Sequence, residues 1–168
     1  MRSVYERRIM SRTVFIIRHA QATGGRYDKH LFPSEGAPLS ASGIKDAERL
    51  GTELRDKGID FNQKVAISAM VRTKQTAESA GFKKLKEYDT LNEICLGLNS
   101  DKLDELIENK KAPQEAIVAA KKLLQNPPSE NIWVTHGVLI VGIAHVLNVS
   151  TTDLYIPDMA SVSEVIID

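Results

Sequence analysis

Short apolar runs, each suited to a buried strand, alternate along this chain with longer segments of helical periodicity. Residues 13–17 (Thr-Val-Phe-Ile-Ile) form a continuous β-rich run, typical of a strand covered on both faces. Comparable runs lie at 65–67 and 131–135. Strands separated by helices predict βαβ units. We therefore expect an α/β fold: a three-layer sandwich whose central, mostly parallel sheet carries helices on both faces.

The segments between these runs carry helix signals. Ser40 is a candidate N-cap for a helix that continues to Gly58. Further helices are expected at 71–80, 101–110, 113–126 and 138–147, and further strands at 85–88 and 161–167. Residues 21–38 have no periodicity, which predicts a long loop of the kind that is often functional. His145, in the most apolar helix, is expected to be a core residue.

The length of 168 residues argues for one domain. We expect a single domain over residues 13–168, preceded by a solvated N-terminal extension over residues 1–12. No internal repeat, low-complexity tract or linker interrupts this region. The sequence does not indicate an oligomeric state.

Charge and cysteine usage limit the partners and the compartment. Lys and Arg total 22 and Asp and Glu total 22, so the net charge is zero, which argues against general nucleic-acid binding. The single cysteine, Cys95, excludes an intrachain disulfide and favours the cytoplasm. The longest apolar stretch, residues 138–147, is well short of a membrane span. We therefore expect a cytoplasmic protein with neither a nucleic-acid nor a membrane partner.

Two apolar runs end in a histidine. His19 follows the first run, with Arg18 before it, and His136 follows the run at 131–135. Arg72 lies in the first turn of the helix after the run at 65–67. The carboxyl ends of parallel strands share one edge of a sheet, so these side chains should converge on an anion site. The alternative is two unrelated loop histidines and two surface arginines.

Common catalytic signatures are absent from the sequence. It contains no G-x-x-x-x-G-K-[ST] phosphate loop, G-x-G-x-x-G turn, H-E-x-x-H helix or G-x-S-x-G elbow. Cys95 lacks a neighbouring arginine that could hold a phosphate on a thiolate, so we interpret it as a small buried hydrophobic residue. The two histidines and two arginines are therefore the principal candidates for chemistry.

The residues around these candidates resemble a known family. In chain order the matching segments are R-H-A at 18–20, L-S-A-S-G at 39–43, S-A-M-V-R-T-K-Q-T-A at 68–77, L-N-E-I-C-L-G at 91–97 and V-T-H-G at 134–137. They are similar to successive motifs of the histidine phosphatase superfamily, which includes the phosphoglycerate mutases. Each motif alone is weak, but five in order cover most of the chain.

The resemblance implies a role for each matching residue. His19 would be the nucleophile that becomes a phosphohistidine, with its second ring nitrogen held by a hydrogen-bond acceptor. Arg18, Arg72 and His136 would bind the phosphoryl oxygens, and Gly137 would contribute to substrate binding. The arginines would supply the positive charge, so the resemblance implies neither a metal nor an organic cofactor.

Two further positions are assigned by the same resemblance. Glu93 would be the general acid for the leaving alcohol and then the base for water. The alternative for Glu93 is an exposed loop carboxylate, in which case Asp28 or Glu35 of the long loop would be tested as the acid. Gln21 would contact the substrate, although many family members carry Glu at this position. The residues after Gly97 also lack the aromatic-acid-Gly sequence that is common in the mutases.

The expected function is hydrolysis of phosphomonoesters, or of phosphohistidine, through a phosphohistidine intermediate on His19. The substrate would be a small phosphorylated molecule or a phosphoprotein. Two alternatives stay open: a phosphoglycerate mutase-type phosphoryl transfer, and a non-catalytic module that binds a phosphorylated ligand or a protein. The sequence does not identify the substrate.

Overall fold

The computed structural model of the chain describes residues 10–24, 36–94, 108–109, 111–149 and 157–168. The strands are β1 (Arg12–Arg18), β2 (Val65–Ile67), β3 (Leu85–Glu87), β4 (Ile132–Thr135) and β5 (Val162–Ile167). The α-helices of the described residues are α1 (Ala41–Asp56), α2 (Val71–Ala80), α3 (Gln114–Gln125) and α4 (Gly137–Leu147). A 3₁₀ turn, Asp89–Leu91, follows β3. Most of the helix predicted at 101–110 and of the loop at 21–38 lies outside the described residues.

The five strands form one sheet in the order β3-β2-β4-β1-β5. The first four are parallel to one another, and β5 pairs antiparallel with β1. This arrangement confirms the mostly parallel sheet predicted from the alternation of strands and helices. Strands β1 and β4 are neighbours, and their last residues, Arg18 and Thr135, are register partners.

Alternate residues of the strands face two separate apolar clusters. On one face, Ile16 and Trp133 pack with side chains of α3 and α4, including Leu123 and Ile143. On the other face, the strand residues Ile17, Val65, Ile67, Ile132 and Val134 pack with α1 and α2. Successive side chains of a strand point to opposite faces of the sheet. Since helices cover both faces, each face buries its own apolar cluster. The two layers of helices confirm the three-layer sandwich.

Two glycines allow the paired helices to approach closely. A Cβ on Gly51 of α1 would collide with the carbonyl oxygen of Ala80 in α2. A Cβ on Gly142 of α4 would collide with the carbonyl oxygen of Ala116 in α3. Each contact is with backbone, which cannot move aside as a side chain can. These glycines set the distance between the helices in each outer layer.

Strand β1 begins one residue earlier than the predicted domain boundary. Arg12, assigned by the sequence to the extension, pairs with Ile167 of β5. Its guanidinium also donates to the carbonyl oxygens of Pro128, Ser129 and Glu130, just before β4. Arg12 therefore joins the start of β1 to the start of β4.

Helix α4 is apolar, but its histidine is not in the core. His145 is exposed, which corrects the expectation that it is a core residue. Leu139, Ile140 and Ile143 define the buried face of this helix, and His145 lies off that face. Among the described helices, none combines the length and the apolar composition that a membrane crossing requires.

The topology creates a crevice at the carboxyl ends of β1 and β4. The chain leaves β1 toward α1 on one face of the sheet and leaves β4 toward α4 on the opposite face. Adjacent parallel strands whose following helices lie on opposite faces define the position where ligands bind in open α/β sheets. The residues directly after β1 and β4 are His19 and His136.

Candidate active site

His19 and His136 face one another across the crevice. Because Arg18 and Thr135 are register partners, the residue after each lies at the same level of the sheet edge. The two ring centroids are 5.1 Å apart. The backbone N–H of His19 also donates to the carbonyl of Thr135 at 3.0 Å, which ties the end of β1 to β4. The convergence predicted for the two histidines is therefore present.

The hydrogen bonds of His19 fix its tautomer. Nδ1 lies 2.7 Å from the carbonyl oxygen of Ala20, and a carbonyl can only accept, so Nδ1 carries the proton. The N–H of Ala20 donates to Thr76 Oγ1 at 2.9 Å, which holds this turn against helix α2. Burial, then the neighbouring His136, lowers the pKa of His19 to about 3. His19 is consequently a neutral imidazole with an unprotonated Nε2.

Arg72 is hydrogen-bonded to three of the predicted site residues. Its Nε donates to His19 Nε2 at 3.2 Å, and its Nη2 donates to Glu93 Oε2 at 3.2 Å. The same Nη2 lies 3.2 Å from His136 Nδ1. Gly36, with φ +83°, lies beside the guanidinium, since a Cβ there would be 2.7 Å from Nη1. Arg72 is therefore the hub of the cluster, and Gly36 leaves room for it.

His136 is completely buried, with 0% exposure. Its Nε2 lies 2.9 Å from Ser68 Oγ, and its Nδ1 lies 3.3 Å from Glu93 Oε2. Burial lowers the pKa of His136, the Glu93 carboxylate opposes that change, and the charges of Arg72 and Arg18 add to it. The net direction is downward, so the neutral imidazole is favoured.

Glu93 lies on a short segment that is anchored on both sides. Asn92 Oδ1 accepts from the backbone N–H of Ala69 at 2.8 Å, and Thr135 Oγ1 donates to the carbonyl of Leu91 at 2.7 Å. The Glu93 side chain is about one third exposed, and its carboxylate contacts Arg72 and His136. Glu93 is thus part of the cluster and not a detached loop carboxylate.

The charges around Glu93 keep it ionised. Burial acts to raise the pKa of its carboxyl, but the contact with His136 and the positive charge of Arg72 outweigh that effect. The pKa of Glu93 is lowered to about 2. At neutral pH the side chain is therefore a carboxylate.

Arg18 and Gly137 complete the edge of the site. The Nη1 of Arg18 donates to the carbonyl oxygen of Pro157 at 2.6 Å, and its charge is felt at His136. Gly137 is buried and begins helix α4 directly after His136. The side chain of His136 does not cap this helix, so it leaves the amides of the first turn without that partner.

Gln21 is engaged elsewhere. Its Oε1 accepts from Ser42 Oγ at 2.6 Å, and Ser40 Oγ lies 3.3 Å from the same atom. Ser40 caps helix α1 as predicted, accepting from the N–H of Gly43 at 3.0 Å. These hydrogen bonds join Gln21 to the start of α1. Asp28, Glu35 and Cys95 lie outside the described residues.

A metal ion would compete with Arg72 in this cluster. One ligand atom from each of His19, Glu93 and His136 lies within 4.8 Å of the others. Arg72, however, is hydrogen-bonded to all three side chains, and its fixed positive charge repels a cation. The donor set therefore suits an anion held by Arg72 better than a divalent metal.

Several residues that organise the site were not singled out from the sequence. Ser68 and Thr73 lie behind His136, Thr76 holds Ala20, and Asn92 anchors the Glu93 segment. Ser68 and both threonines are buried polar residues within the segment 68–77. Buried hydroxyls require hydrogen-bond partners, so their density in one short motif was an available signal.

The chain belongs to the histidine phosphatase superfamily. The family model described as histidine phosphatase superfamily (branch 1) matches residues 14–132, which is more than half of the chain. The match contains Arg18, His19, Arg72 and Glu93, and it ends four residues before His136. It covers the first four of the five motifs and confirms the family resemblance. No curated protein sequence matches the chain.

Solved structures share the fold at low sequence identity. TTHB049 from Thermus thermophilus is 18% identical, with a TM-score of 0.64, and the match covers 92% of this chain and 93% of that one. Mycobacterial hydrolase 1 is 19% identical, with a TM-score of 0.62 and coverages of 94% and 91%. A candidate alpha-ribazole-5'-P phosphatase from Escherichia coli is 20% identical, with a TM-score of 0.56 and coverages of 90% and 89%. These similarities concern the fold.

Proposed function

We propose that this protein is a metal-independent phosphatase that transfers the phosphoryl group of a phosphomonoester, or of phosphohistidine, to His19 and then to water. The observation that carries the proposal is the tautomer of His19: Nδ1–H is held by Ala20 O at 2.7 Å, so Nε2 presents its lone pair to the crevice. Membership of the histidine phosphatase superfamily supports the same reaction class.

The low pKa of His19 suits a nucleophile. With a pKa of about 3, the imidazole keeps its Nε2 lone pair throughout the neutral range. Covalent catalysis by this nitrogen divides hydrolysis into two transfers, each with a lower barrier. When Nε2 forms its bond to phosphorus, the ring becomes cationic, and the hydrogen bond from Nδ1 to Ala20 O stabilises that charge.

Arg72, Arg18 and His136 are proposed to bind the phosphoryl oxygens. Arg72 Nε donates to His19 Nε2 at 3.2 Å, so a phosphoryl oxygen that accepts this N–H would release the nitrogen's lone pair for attack. In the transition state, negative charge develops on the leaving oxygen and on the oxygens of the transferred phosphoryl group. Fixed cations close to these oxygens stabilise that charge. The amide of Gly137 adds a donor at a helix N-terminus.

Glu93 is proposed to move protons in both half-reactions. Its carboxyl is ionised while Arg72 bonds to it, so it must gain a proton before it can act as an acid. A bound phosphoryl group would draw Arg72 away and add negative charge nearby, and both effects raise the pKa of a carboxyl. Glu93 would then protonate the oxygen that leaves phosphorus as the P–O bond breaks.

The second half-reaction restores the starting site. Water attacks the phosphohistidine, the Glu93 carboxylate takes a proton from that water, and the P–N bond breaks. Inorganic phosphate leaves and His19 regains its Nε2 lone pair. When Arg72 bonds to Glu93 again, the carboxyl releases its proton to solvent, and the site is back in its starting state. The substrate is proposed to be a small phosphorylated molecule or a phosphoprotein. A single cysteine, which cannot form an intrachain disulfide, agrees with a cytoplasmic location.

The experiment that tests the proposal is a single turnover with p-nitrophenyl phosphate, followed by trapping of the enzyme. The proposal expects a burst of nitrophenol and a phosphoenzyme that is labile in acid. A phosphatase transfers the phosphoryl group to water and yields inorganic phosphate, whereas a mutase would transfer it to an added phosphoglycerate. Absence of both burst and phosphoenzyme would favour the non-catalytic module. A substrate panel that includes alpha-ribazole-5'-phosphate would then rank physiological candidates.

A further inference from the structure

The face of His136 that points away from the site is bonded to two hydroxyls. His136 Nε2 lies 2.9 Å from Ser68 Oγ, and Ser68 Oγ lies 2.9 Å from Thr73 Oγ1. Ser68, Thr73 and His136 are all fully buried, with 0% exposure. Burial at this level leaves the three groups to satisfy one another and the adjacent backbone.

The direction of each hydrogen bond in this chain follows from the backbone carbonyls at its end. Thr73 Oγ1 lies 2.8 Å from the carbonyl oxygen of Met70 and 3.1 Å from that of Ser68. Carbonyl oxygens only accept, and the contact with Met70 is the shortest that Thr73 Oγ1 makes, so we assign the single hydroxyl proton of Thr73 to that carbonyl. Thr73 Oγ1 is therefore an acceptor toward Ser68 Oγ.

Ser68 must then donate to Thr73 and accept from His136. Its single proton is used in the bond to Thr73 Oγ1, and the N–H of Met70 donates to Ser68 Oγ at 3.2 Å. Ser68 has no second proton to offer to His136 Nε2. The 2.9 Å contact between Ser68 Oγ and His136 Nε2 is a hydrogen bond only if Nε2 carries the proton.

We propose that Ser68 and Thr73 are positioning residues that fix His136 with its proton on Nε2, so that Nδ1 is the atom that gains and loses a proton in the site. Neutral His136 then accepts at Nδ1 from Arg72 Nη2, 3.2 Å away. Protonated His136 instead donates from Nδ1 to Glu93 Oε2, 3.3 Å away. The charged groups facing this nitrogen are Arg72, Arg18 and Glu93, with neutral His19 opposite.

The fixed tautomer has a consequence that rests on the proposed function. A phosphoryl oxygen can accept a hydrogen bond from His136 only after Nδ1 gains a proton, because Nε2–H is committed to Ser68. His136 then contributes a positive charge to the bound phosphoryl group. A neutral Nδ1–H tautomer would donate without that charge and would leave Nε2 as the atom to protonate, remote from the substrate.

Nitrogen-15 spectra of the histidine rings at neutral pH test the tautomer directly, without turnover. Resonances of His136 are assigned by their loss in His136→Gln, among four histidines in the chain. The wild type is expected to show Nε2–H. In Thr73→Val the proton of Ser68 becomes free to donate to Nε2, so the Nδ1–H form should appear, its proton donated to Glu93. Thr73→Ser keeps the hydroxyl and should restore Nε2–H.

Two other variants complete the test. Ser68→Ala removes the acceptor for Nε2–H and should also give Nδ1–H. Thr52→Val is the matched control: Thr52 is an exposed helical threonine whose hydroxyl reaches only the carbonyl of Glu48, at 3.4 Å, and it should change nothing. Nδ1–H in the wild type, or unchanged Nε2–H in both Thr73→Val and Ser68→Ala, would overturn the proposal.

Burst kinetics separate this proposal from the proposed function. In Thr73→Val the burst rate with p-nitrophenyl phosphate should fall by roughly tenfold or more, within the 10⁴-fold loss that a wrong catalytic tautomer causes in serine proteases. Thr73→Ser should retain the wild-type burst. If the wild type shows Nε2–H but forms no phosphoenzyme, the proposed phosphatase reaction is wrong and the proposed tautomer of His136 is supported. A shifted tautomer with an undiminished burst would contradict a role for Ser68 and Thr73 in catalysis.

Discussion

Arg72 donates its Nε–H to the Nε2 atom of His19 at 3.2 Å. The cation proposed to bind the phosphoryl group is therefore in contact with the nitrogen proposed to attack it. This contact holds the lone pair of His19 toward the crevice, and an anion that reaches Arg72 must compete with His19 for the same N–H. Binding of an anion and exposure of the nucleophile are consequently coupled.

The first prediction concerns the phosphorylated residue. Replacing His19 with Ala should abolish turnover and the acid-labile phosphoenzyme. His136, the other described imidazole of the cluster, has no backbone carbonyl that holds the proton on one nitrogen and leaves the other free to attack. His145→Ala is the matched control, since His145 is exposed on α4. Labelling with a phosphate donor and mapping the modified peptide checks the result. A label on another residue would show that the assignment of His19 is wrong.

The second prediction concerns metals. Arg72 bonds to all three potential metal ligands, so hydrolysis should survive exhaustive chelation. Tungstate or vanadate should bind in competition with substrate, and Arg72→Lys should weaken that binding by roughly tenfold or more, because lysine cannot reproduce the planar fork of donors. Isothermal titration measures it. Activity lost on chelation and rescued by Mg²⁺, Mn²⁺ or Zn²⁺ would contradict the mechanism.

The third prediction concerns Glu93 and the basicity of the leaving oxygen. Glu93→Gln should slow the burst with a sugar or alkyl phosphate by roughly 10²–10⁴-fold, because an alkoxide leaves only when it is protonated. The burst with p-nitrophenyl phosphate should change far less, since nitrophenolate is a stable anion. Rapid-quench measurement of a single turnover isolates this step from attack by water. Equal losses with both substrates would show that Glu93 does not act as the acid.

The fourth prediction concerns stability and pH. The pKa of His19 falls from 6.5 to about 3 on folding, mainly through burial. A lowered pKa contributes stability that is complete above pH 6.5 and is lost as the pH falls toward 3, with a slope of up to about 1.4 kcal/mol per pH unit. His19→Gln should flatten the free energy of unfolding over that window. Denaturant titrations across the pH range measure it.

Glu93→Gln supplies the contrast for the fourth prediction. The pKa of Glu93 falls from 4.5 to about 2, so its part of the stability is present above pH 4.5 and is lost only below it. The Gln variant should therefore differ in slope from the wild type only in the more acidic range. Curves for His19→Gln and the wild type that stay parallel between pH 6.5 and 4.5 would contradict the burial of a neutral His19.

The sequence predicted the elements closely, because each depends on local periodicity. The run at 13–17 became β1, the segments at 65–67 and 71–80 became β2 and α2, and Ser40 caps α1. The convergence of His19 and His136 was also predictable, since it requires only that two parallel strands share an edge. Their pairing as direct neighbours required the strand order, in which β4 inserts between β2 and β1.

Other features depended on contacts between distant segments. Contact of Gln21 with the substrate stays a prediction, but the hydrogen bond that its amide oxygen accepts from Ser42, next to the bridge between Ala22 and Leu39, was not predicted. His145 was expected in the core, but only packing against α3 and the sheet decides which face of an apolar helix is buried. Neither outcome follows from the composition of its own segment.

The sequence by itself determined which groups are available: two histidines, two arginines and a glutamate placed at or near the carboxyl edge of a parallel sheet. Only the tertiary structure decided the state of each group. The carbonyl of Ala20 puts the proton of His19 on Nδ1, and Ser68 Oγ is the proposed acceptor of the hydrogen bond from Nε2–H of His136. Hydrogen-bond direction and desolvation depend on the atoms that folding brings within about 3 Å, and a linear pattern does not specify those atoms.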